Sequence, residues 1–344
     1  MSSSPVDRHL DEAELTALGD AVLARARISS EAARSTVGTL VMTELFAISS
    51  HGFQQLPRYV HMLNTGAIDG YAQPCVLRDE GATVLVDAQH GMGQMATTFA
   101  CEIAKARVPD AGICLVSVRN SNHFGAAFPY CAELAEAGFI AFLATNTPPN
   151  MAPWGGRDRV VGNNPFAWSI PRRDRHPLVL DIACSVAAGS RLAAAGTTAG
   201  TIPGDWALDR NGEATTDPAA VYSYLPIGGH KGYGLALILE VLAGVLSGSL
   251  FSTQLPAREL LGQRSWDVGH LLIVVDPSRL TDIGTFDERI EQLVTAVATS
   301  KLRPGFSEVL VPGEREYRSL GERRRSGVPL PGPLIEELRR LASS

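Results

Sequence analysis

Apolar positions between residues 10 and 65 recur near a period of 3.6, at Leu10, Leu15, Leu18 and Val22, then at Ala33, Val37, Leu40 and Val41. The spacing predicts two helices, with Ser29 or Ser30 as the N-cap between them. The second is expected to run toward Ser50-His51-Gly52, where a glycine stops it and an imidazole meets the negative end of the helix dipole. From residue 82 the pattern changes. Continuous β-branched runs at 82–88, 112–118, 138–146 and 177–183 read as strands. Helical patterns at 92–107 and 126–137 separate the first three, the alternation of an α/β core. Residues 186–229, rich in Gly, Ala, Thr and Pro, predict a loop-heavy excursion. The segment 231–248 is apolar nearly all round and is expected to form a buried helix. A strand follows at 270–277. A helix at 285–301 opens with Thr285 and Glu288 in capping-box spacing, and carries Phe286, Ile290, Leu293, Val294 and Val297 on one face. A strand at 307–313 and a helix at 333–341 end the pattern.

Composition narrows the class of protein. The chain has 344 residues, 45% of them hydrophobic and 19% charged, which suits a soluble globular protein with two or three lobes. Its net charge is −6, and the only basic run is Arg323-Arg324-Arg325, so nucleic acid and anionic membranes are not expected partners. Five cysteines, odd in number, lie far apart with no CxxC pair, which points to a reduced, cytoplasmic protein. The N-terminal residues show no basic stretch leading into an apolar one, so no secretory signal is expected. The longest apolar stretch, from Leu235 to Val245, is too short and too interrupted to span a bilayer.

Candidate chemistry sits at the ends of the predicted elements. Gly91-Met92-Gly93-Gln94-Met95-Ala96 fits G-x-G-x-x-A between a strand and a helix, the setting of a dinucleotide fingerprint. The next strand, however, ends at Arg119 and not at the acidic residue that would hold a ribose; an Arg there suits a 2′-phosphate. In Gly228–Gly234, Lys231 stands in the first turn of a helix, where a cation is unfavourable unless an anion lies between it and the dipole. The other reading is a lysine reaching to solvent. His123 lies at a strand-to-helix junction, where amides favour the neutral imidazole, or where it simply caps. Asp181 ends an apolar strand, a frequent place for site residues in α/β folds, or caps the following turn through Ser185. Arg315, in the turn after residues 307–313, can meet a phosphate or pair with Glu314 or Glu316.

In this order the segments SSHG…LPRYVHMLNTGAI (49–68), RNSNHFGAAFPYCAELAEAGFIAFLATNT (119–147), APWGGRDRVVGNNPFAWSIP (152–171), LVLDIACS (178–185), TIPGDWALDRNGEATTDP (201–218), LPIGGHKGYGLAL (225–237) and PGERE (312–316) resemble the type-2 malate/L-lactate dehydrogenase family. That family includes ureidoglycolate dehydrogenase, 2,3-diketo-gulonate reductase and Δ1-piperideine-2-carboxylate reductase. The resemblance implies a non-Rossmann nicotinamide-binding α/β fold with a large mixed sheet and a helical lobe from the N- and C-terminal segments. The expected division is an N-terminal helical lobe at 1–75, an α/β core binding cofactor and substrate at 76–250, and C-terminal strands and helices at 251–344. NADH or NADPH is the implied cofactor, and the active unit an intertwined homodimer. The 91–96 glycines then serve packing.

By the same resemblance His51 is the proton donor, with His123 the second candidate and Asp181 orienting the cofactor or an imidazole. Thr147, Asp181, Ile182, Ala183, His230, Lys231, Gly313, Glu314 and Arg315 fall on cofactor contacts. Ser50, Gln55 and Arg58 fall on the substrate side. The chain departs from the family pattern at Gln55, where members carry an Arg that grips the substrate carboxylate. It departs again at Asn163 and at Gly189-Ser190. Either Arg58 or Arg191 takes over the carboxylate, or the substrate is larger or less anionic than a simple 2-oxo acid. The expected activity is hydride transfer to the C=O or cyclic C=N of a small 2-oxo or imino acid, with a histidine as acid. The competing readings are a metal-dependent hydrolase or lyase on His51, His123 and Asp181, or a non-catalytic member of the family.

Overall fold

A computed structural model describes residues 8–187, 189, 200–257, 260 and 262–343. Helix α1 (Glu12–Leu23) opens on a capping box between Asp11 and Glu14. Helix α2 (Ser30–Leu45) is capped by Ser29, whose hydroxyl accepts the Ala32 amide at 3.2 Å. It stops at Leu45, well short of His51, which corrects the expected helix ending. The cause is Glu44 in its last turn. This fully buried carboxylate accepts the Phe53 amide at 2.9 Å and the Ser49 hydroxyl at 2.7 Å, and so folds the chain back on itself. Ala47 takes a left-handed φ of 62° to make the bend. His51 therefore sits in a tight 3₁₀ turn (Ser49–His51), and α3 (Leu56–Thr65) begins after a second such turn.

The main sheet has seven strands. They are β2 (Cys75–Asp79), β3 (Thr83–Asp87), β4 (Ile113–Ser121), β5 (Ile140–Thr145), β6 (Phe166–Ile170), β7 (Leu178–Ile182) and β10 (Val268–Val275). Their order is β2-β3-β4-β10-β5-β6-β7, and only the β3–β4 pair is parallel. Short pairs β1 (Arg8–Leu10) with β11 (Val328–Leu330), and β8 (Ala207–Leu208) with β9 (Ser223–Tyr224), lie outside it. The four strands expected before residue 186 and the one at 270–277 are all present. Strands β2 and β6 are additions. β2 is a mostly exposed edge that carries Arg78 and Asp79, so it has little apolar alternation to read.

Both faces of the sheet are covered. Along β5, Ala141 and Leu143 point into the larger core with Leu272 and Val274 of β10. The alternate residues Phe142, Ala144 and Leu271 enter a second core with Met151, Val161 and Tyr224. That double burial explains the unbroken apolar runs, which would alternate with polar residues on a sheet with one wet face. Helix α4 (Gly93–Ala111) packs on β4 and β10, and α5 (Phe128–Glu136) on β5, β6 and β7.

The C-terminal third departs most from expectation. The apolar helix is α6 (His230–Glu240), continued by a π-turn at Val241–Val245. It is not buried all round. Its small residues Gly232, Ala236, Ala243 and Gly244 face the protein, and Gly269 of β10 approaches the Ala243 carbonyl too closely to admit a side chain. Its large residues face outward, with Ile238 58% and Leu246 57% exposed. Helix α7 (Ile283–Ala298) is capped by Asp282, which accepts the Thr285 amide at 2.9 Å, so the expected Thr285 cap is one turn late. None of its residues is buried. Residues 307–313 form no strand; they run beside β7 through a single backbone bond, from Val179 N–H to the Pro312 carbonyl at 3.1 Å. An unexpected helix, α8 (Glu314–Ser326), follows, and α9 (Gly332–Ser343) packs on α1 and α3. Among α8's side chains only Tyr317 and Leu320 are buried, too few for an apolar period to show.

Gly93 opens α4 against the carbonyls of Asn122 and His123, which an added methyl group would overlap. Gly93→Ala is expected to cost about 1–3 kcal/mol of stability, as overpacking does. Urea unfolding measures it, and a variant as stable as the parent would refute the packing role.

Candidate active site

One cleft of about 1120 Å³ opens between the His51 turn, the end of β4, the end of β7 and the segment before α8. The His51 wall is rigid by construction. Glu44 fills the inside of the turn so completely that Gly52 has no room for a Cβ. Burial pushes its carboxyl pKa up, while the Ser49, Phe53 and Arg323 contacts pull the other way. Arg323 of α8 reaches the same carboxylate at 3.5 Å. On the cleft side, the Ser50 hydroxyl lies 2.9 Å from His51 Nδ1. Gln55 donates its amide to the Ser50 carbonyl at 2.6 Å. It braces the turn and brings no charge.

His123 faces His51, the two rings stacked with centroids 5.6 Å apart. Its position follows from Asn122, whose buried amide donates to the carbonyls of His90 at 3.0 Å and Gly91 at 2.9 Å and accepts from the Trp266 amide at 3.0 Å. Trp266 is thereby held edge-on to His123, with centroids 5.5 Å apart. Burial, then the charge of Arg58, holds His51 down at about 4. His123 is pushed well below the usual imidazole range by burial first, then by Arg58, His51 and His270. Both rings are therefore neutral at pH 7.

Arg58 itself lies over the rings of Trp266 and Tyr59, at 5.1 and 5.6 Å. Its Nε and Nη2 are buried and have no hydrogen-bond partner among the described residues. A guanidinium with two buried nitrogens open beside two imidazoles is a candidate anion site.

The opposite wall carries Thr147, whose hydroxyl is 3.0 Å from Asn163 Oδ1. The same Oδ1 accepts from Asn150 at 2.9 Å. Behind them, buried Glu240 ties Asn146 at 3.1 Å to Asn164 at 2.7 Å. Asp181, Ile182 and Ala183 line the cleft as well. Asp181 Oδ2 accepts the Phe128 amide at 2.8 Å, so it caps α5 and not the Ser185 turn. No hydrogen bond joins it to either imidazole among the described residues. Burial pushes its pKa up to about 6.

Gly313 and Arg315 line the far end, where Gly313 has φ 88° and an added Cβ would stand 3.0 Å from the Val179 nitrogen. Glu314 turns away and accepts the Val311 amide at 3.2 Å. His230 and Lys231 stand exposed at the start of α6, outside the cleft lining of this chain. Ser190 and Arg191 lie outside the described residues.

Arg119, the candidate phosphate reader of the glycine fingerprint, instead pairs with Asp87 at 3.0 Å. Together with the packing of Gly93 on the Asn122 and His123 carbonyls, this leaves 91–96 no cofactor role. Sequence reasoning missed Tyr59, Asn122 and Trp266. Tyr59 and Asn122 adjoin residues it selected, but nothing local marks Trp266 as a partner of His123.

Comparison with known proteins gives the family. Residues 10–339 match the family model described as malate/L-lactate dehydrogenase. The (2R)-3-sulfolactate dehydrogenase (NADP(+)) of Chromohalobacter salexigens is 34% identical, covering 97% of this chain and 98% of its own length. A Δ1-pyrroline-2-carboxylate/Δ1-piperideine-2-carboxylate reductase of Pseudomonas putida is 31% identical, covering 95% of each chain. The solved malate dehydrogenase of Pyrococcus horikoshii superposes with a TM-score of 0.88 at 30% identity, covering 100% of this chain and 97% of that one. With the family model spanning nearly the whole length and the fold shared throughout, this chain belongs to the malate/L-lactate dehydrogenase family.

Proposed function

We propose that this cleft reduces the C=O of a small 2-oxo acid, or the C=N of a cyclic imino acid, with NADH or NADPH as hydride source. The observation that carries the reading is Arg58, a buried guanidinium with two unpartnered nitrogens beside a pair of neutral imidazoles. A substrate carboxylate completes it, taking the place that an arginine at position 55 has in other members.

The residues present fit a nicotinamide dinucleotide. The cleft slightly exceeds the roughly 300–1,000 Å³ of ordinary small-molecule sites, room for an elongated cofactor and a small acid together. Gly313 lets the backbone approach β7 closely, and α8, 13 residues long, begins at the cleft with its positive dipole end. Arg315, its side chain 75% exposed, stands beside that end for a phosphate. Thr147, Ile182 and Ala183 line the path between there and the histidines. When bound, the reduced nicotinamide supplies hydride to the carbonyl or imine carbon. Negative charge then gathers on the heteroatom, to which His51, oriented by Ser50, delivers a proton. Asp181 holds α5 in place and shapes the cofactor wall.

A metal-dependent hydrolase is not favoured. Among the described residues no three His, Cys, Asp or Glu side chains come together as a ligand set, and the Asp181 carboxylate is committed to the Phe128 amide. The homodimer is part of the proposal. The outward Leu235, Ile238, Val245 and Leu246, with the wholly unburied α7, form apolar surface of the kind that a second copy covers. Exposed His230 and Lys231 at the start of α6 are the residues for which a second copy offers a route to the cofactor. The described cysteines are all unpaired, which supports a reduced, cytoplasmic setting, and no described helix is long and apolar enough to cross a membrane.

Three measurements test this. Arg58→Lys is expected to raise the KM for 2-oxo acids about tenfold or more, the worth of a lost bidentate carboxylate contact, with NADH affinity unchanged. An unchanged KM would remove Arg58 from the substrate. Because the free His51 titrates at about 4, its acid form shrinks tenfold per pH unit above that value. The kcat/KM for reduction is therefore expected to fall steadily with rising pH across about pH 5–8, and a flat profile excludes His51 as the donor. Light scattering is expected to give twice the mass of one chain, and a stable monomer would refute the dimer.

A further inference from the structure

Tyr59 is fully buried at the base of the cleft, and its phenolic oxygen lies 2.6 Å from His123 Nδ1. A second group converges on the same nitrogen. The Gly125 amide, in a left-handed turn at φ 90°, points its N–H at Nδ1 from 3.4 Å. A backbone amide only donates, so Nδ1 is the bare, accepting nitrogen, and the phenol must donate to it as well. The ring is neutral, because it is buried and flanked by Arg58, His51 and His270. Its one hydrogen is then on Nε2. Nε2 lies on the opposite edge of the ring and has no hydrogen-bond partner among the described residues, and His123 lines the cleft.

We propose that Tyr59 is a positioning residue that locks His123 in the Nε2–H tautomer, giving the cleft a fixed hydrogen-bond donor for the heteroatom on which charge develops. This rests on the reductase reading of the cleft and adds a division of labour to it. His51 changes its protonation state during turnover. His123 does not; it donates a hydrogen bond to the same atom and stays neutral. A neutral donor held by two fixed partners needs no reorganisation when the charge appears, which is the condition for strong transition-state stabilisation. If Tyr59 were absent, the Gly125 amide alone, at its longer distance, would hold the ring more weakly, and the hydrogen would be shared between the two nitrogens.

The test is nitrogen-15 NMR of histidine-labelled protein without ligands, with the His123 signals assigned by their loss in His123→Gln. The parent is expected to show a bare Nδ1 and a protonated Nε2 on His123. Tyr59→Phe, which removes only the hydroxyl, is expected to shift that ring toward a mixture of tautomers. It is also expected to lower kcat about tenfold or more, with the KM for the cofactor unchanged. A parent spectrum with the hydrogen on Nδ1 overturns the proposal even if the variant fails to fold. So does a Tyr59→Phe enzyme with unaltered tautomer or unaltered kcat. Failure of the reductase reading looks different: the parent would then oxidise neither NADH nor NADPH with 2-oxo or cyclic imino acids, while its His123 tautomer stays as proposed.

Discussion

The site depends on the side chain of Asn122. It is wholly buried, yet both amide hydrogens and the amide oxygen are engaged, joining the end of β4 to the turn before α4 and to the Trp266 segment. These three pieces are far apart in the chain. A buried amide without such partners would cost a few kcal/mol, so the three segments are compelled to meet there. His123 follows Asn122 directly and inherits its position from the clamp. Gly93 completes the arrangement by leaving room for the Asn122 and His123 carbonyls.

Around that point the protein concentrates polar groups that an apolar interior would reject. Glu44, Arg58, His51, His123 and His270 are all drawn from water, and burial is the first cause of every displaced titration among them. The ways in which each is accommodated differ, and the differences separate support from chemistry. Glu44 is fully hydrogen-bonded and holds the turn. His270 is satisfied on both nitrogens, by Thr145 at 2.9 Å and Ser121 at 2.7 Å, and holds the sheet. Arg58 alone among these keeps buried donors without acceptors. Glu44 and His270, whose hydrogen bonds are complete, serve the scaffold, while Arg58, His51 and His123 keep polar atoms open toward the cleft.

The two walls of the cleft are also coupled through the framework. Helix α8 starts beside Gly313, at one end of the cleft, and in its last turn Arg323 reaches both the carboxylate and the carbonyl of Glu44, which holds the His51 turn. One helix thus links the Gly313 end of the cleft to the His51 turn. On the other side Glu240 performs a similar task, tying α6 to Asn146 and Asn164 and through them to Thr147. The exposed apolar side of α6 and its buried Glu240 belong to the same helix, so an open apolar surface and the cleft wall share one element.

The sequence by itself determined the alternation of strand and helix from residue 82, because strands buried on both faces must be apolar without interruption. It also marked His51, His123 and Asp181, which stand at the ends of expected elements, whereas Arg58 entered only through the resemblance, as a replacement for the arginine absent at Gln55. What it could not express was position between distant segments. The insertion of β10 between β4 and β5, the seating of Trp266 against His123, and the use of Gln55 as a brace come from contacts across long stretches of chain. Local periodicity misread α6 for the same reason. A pattern apolar all round says that every face will be covered, but only the tertiary structure shows which face this chain covers and which it leaves open. The 91–96 glycines, which match a cofactor fingerprint in sequence, proved to be spacers. Their meaning lay in the carbonyl groups opposite them, which one-dimensional order does not reveal.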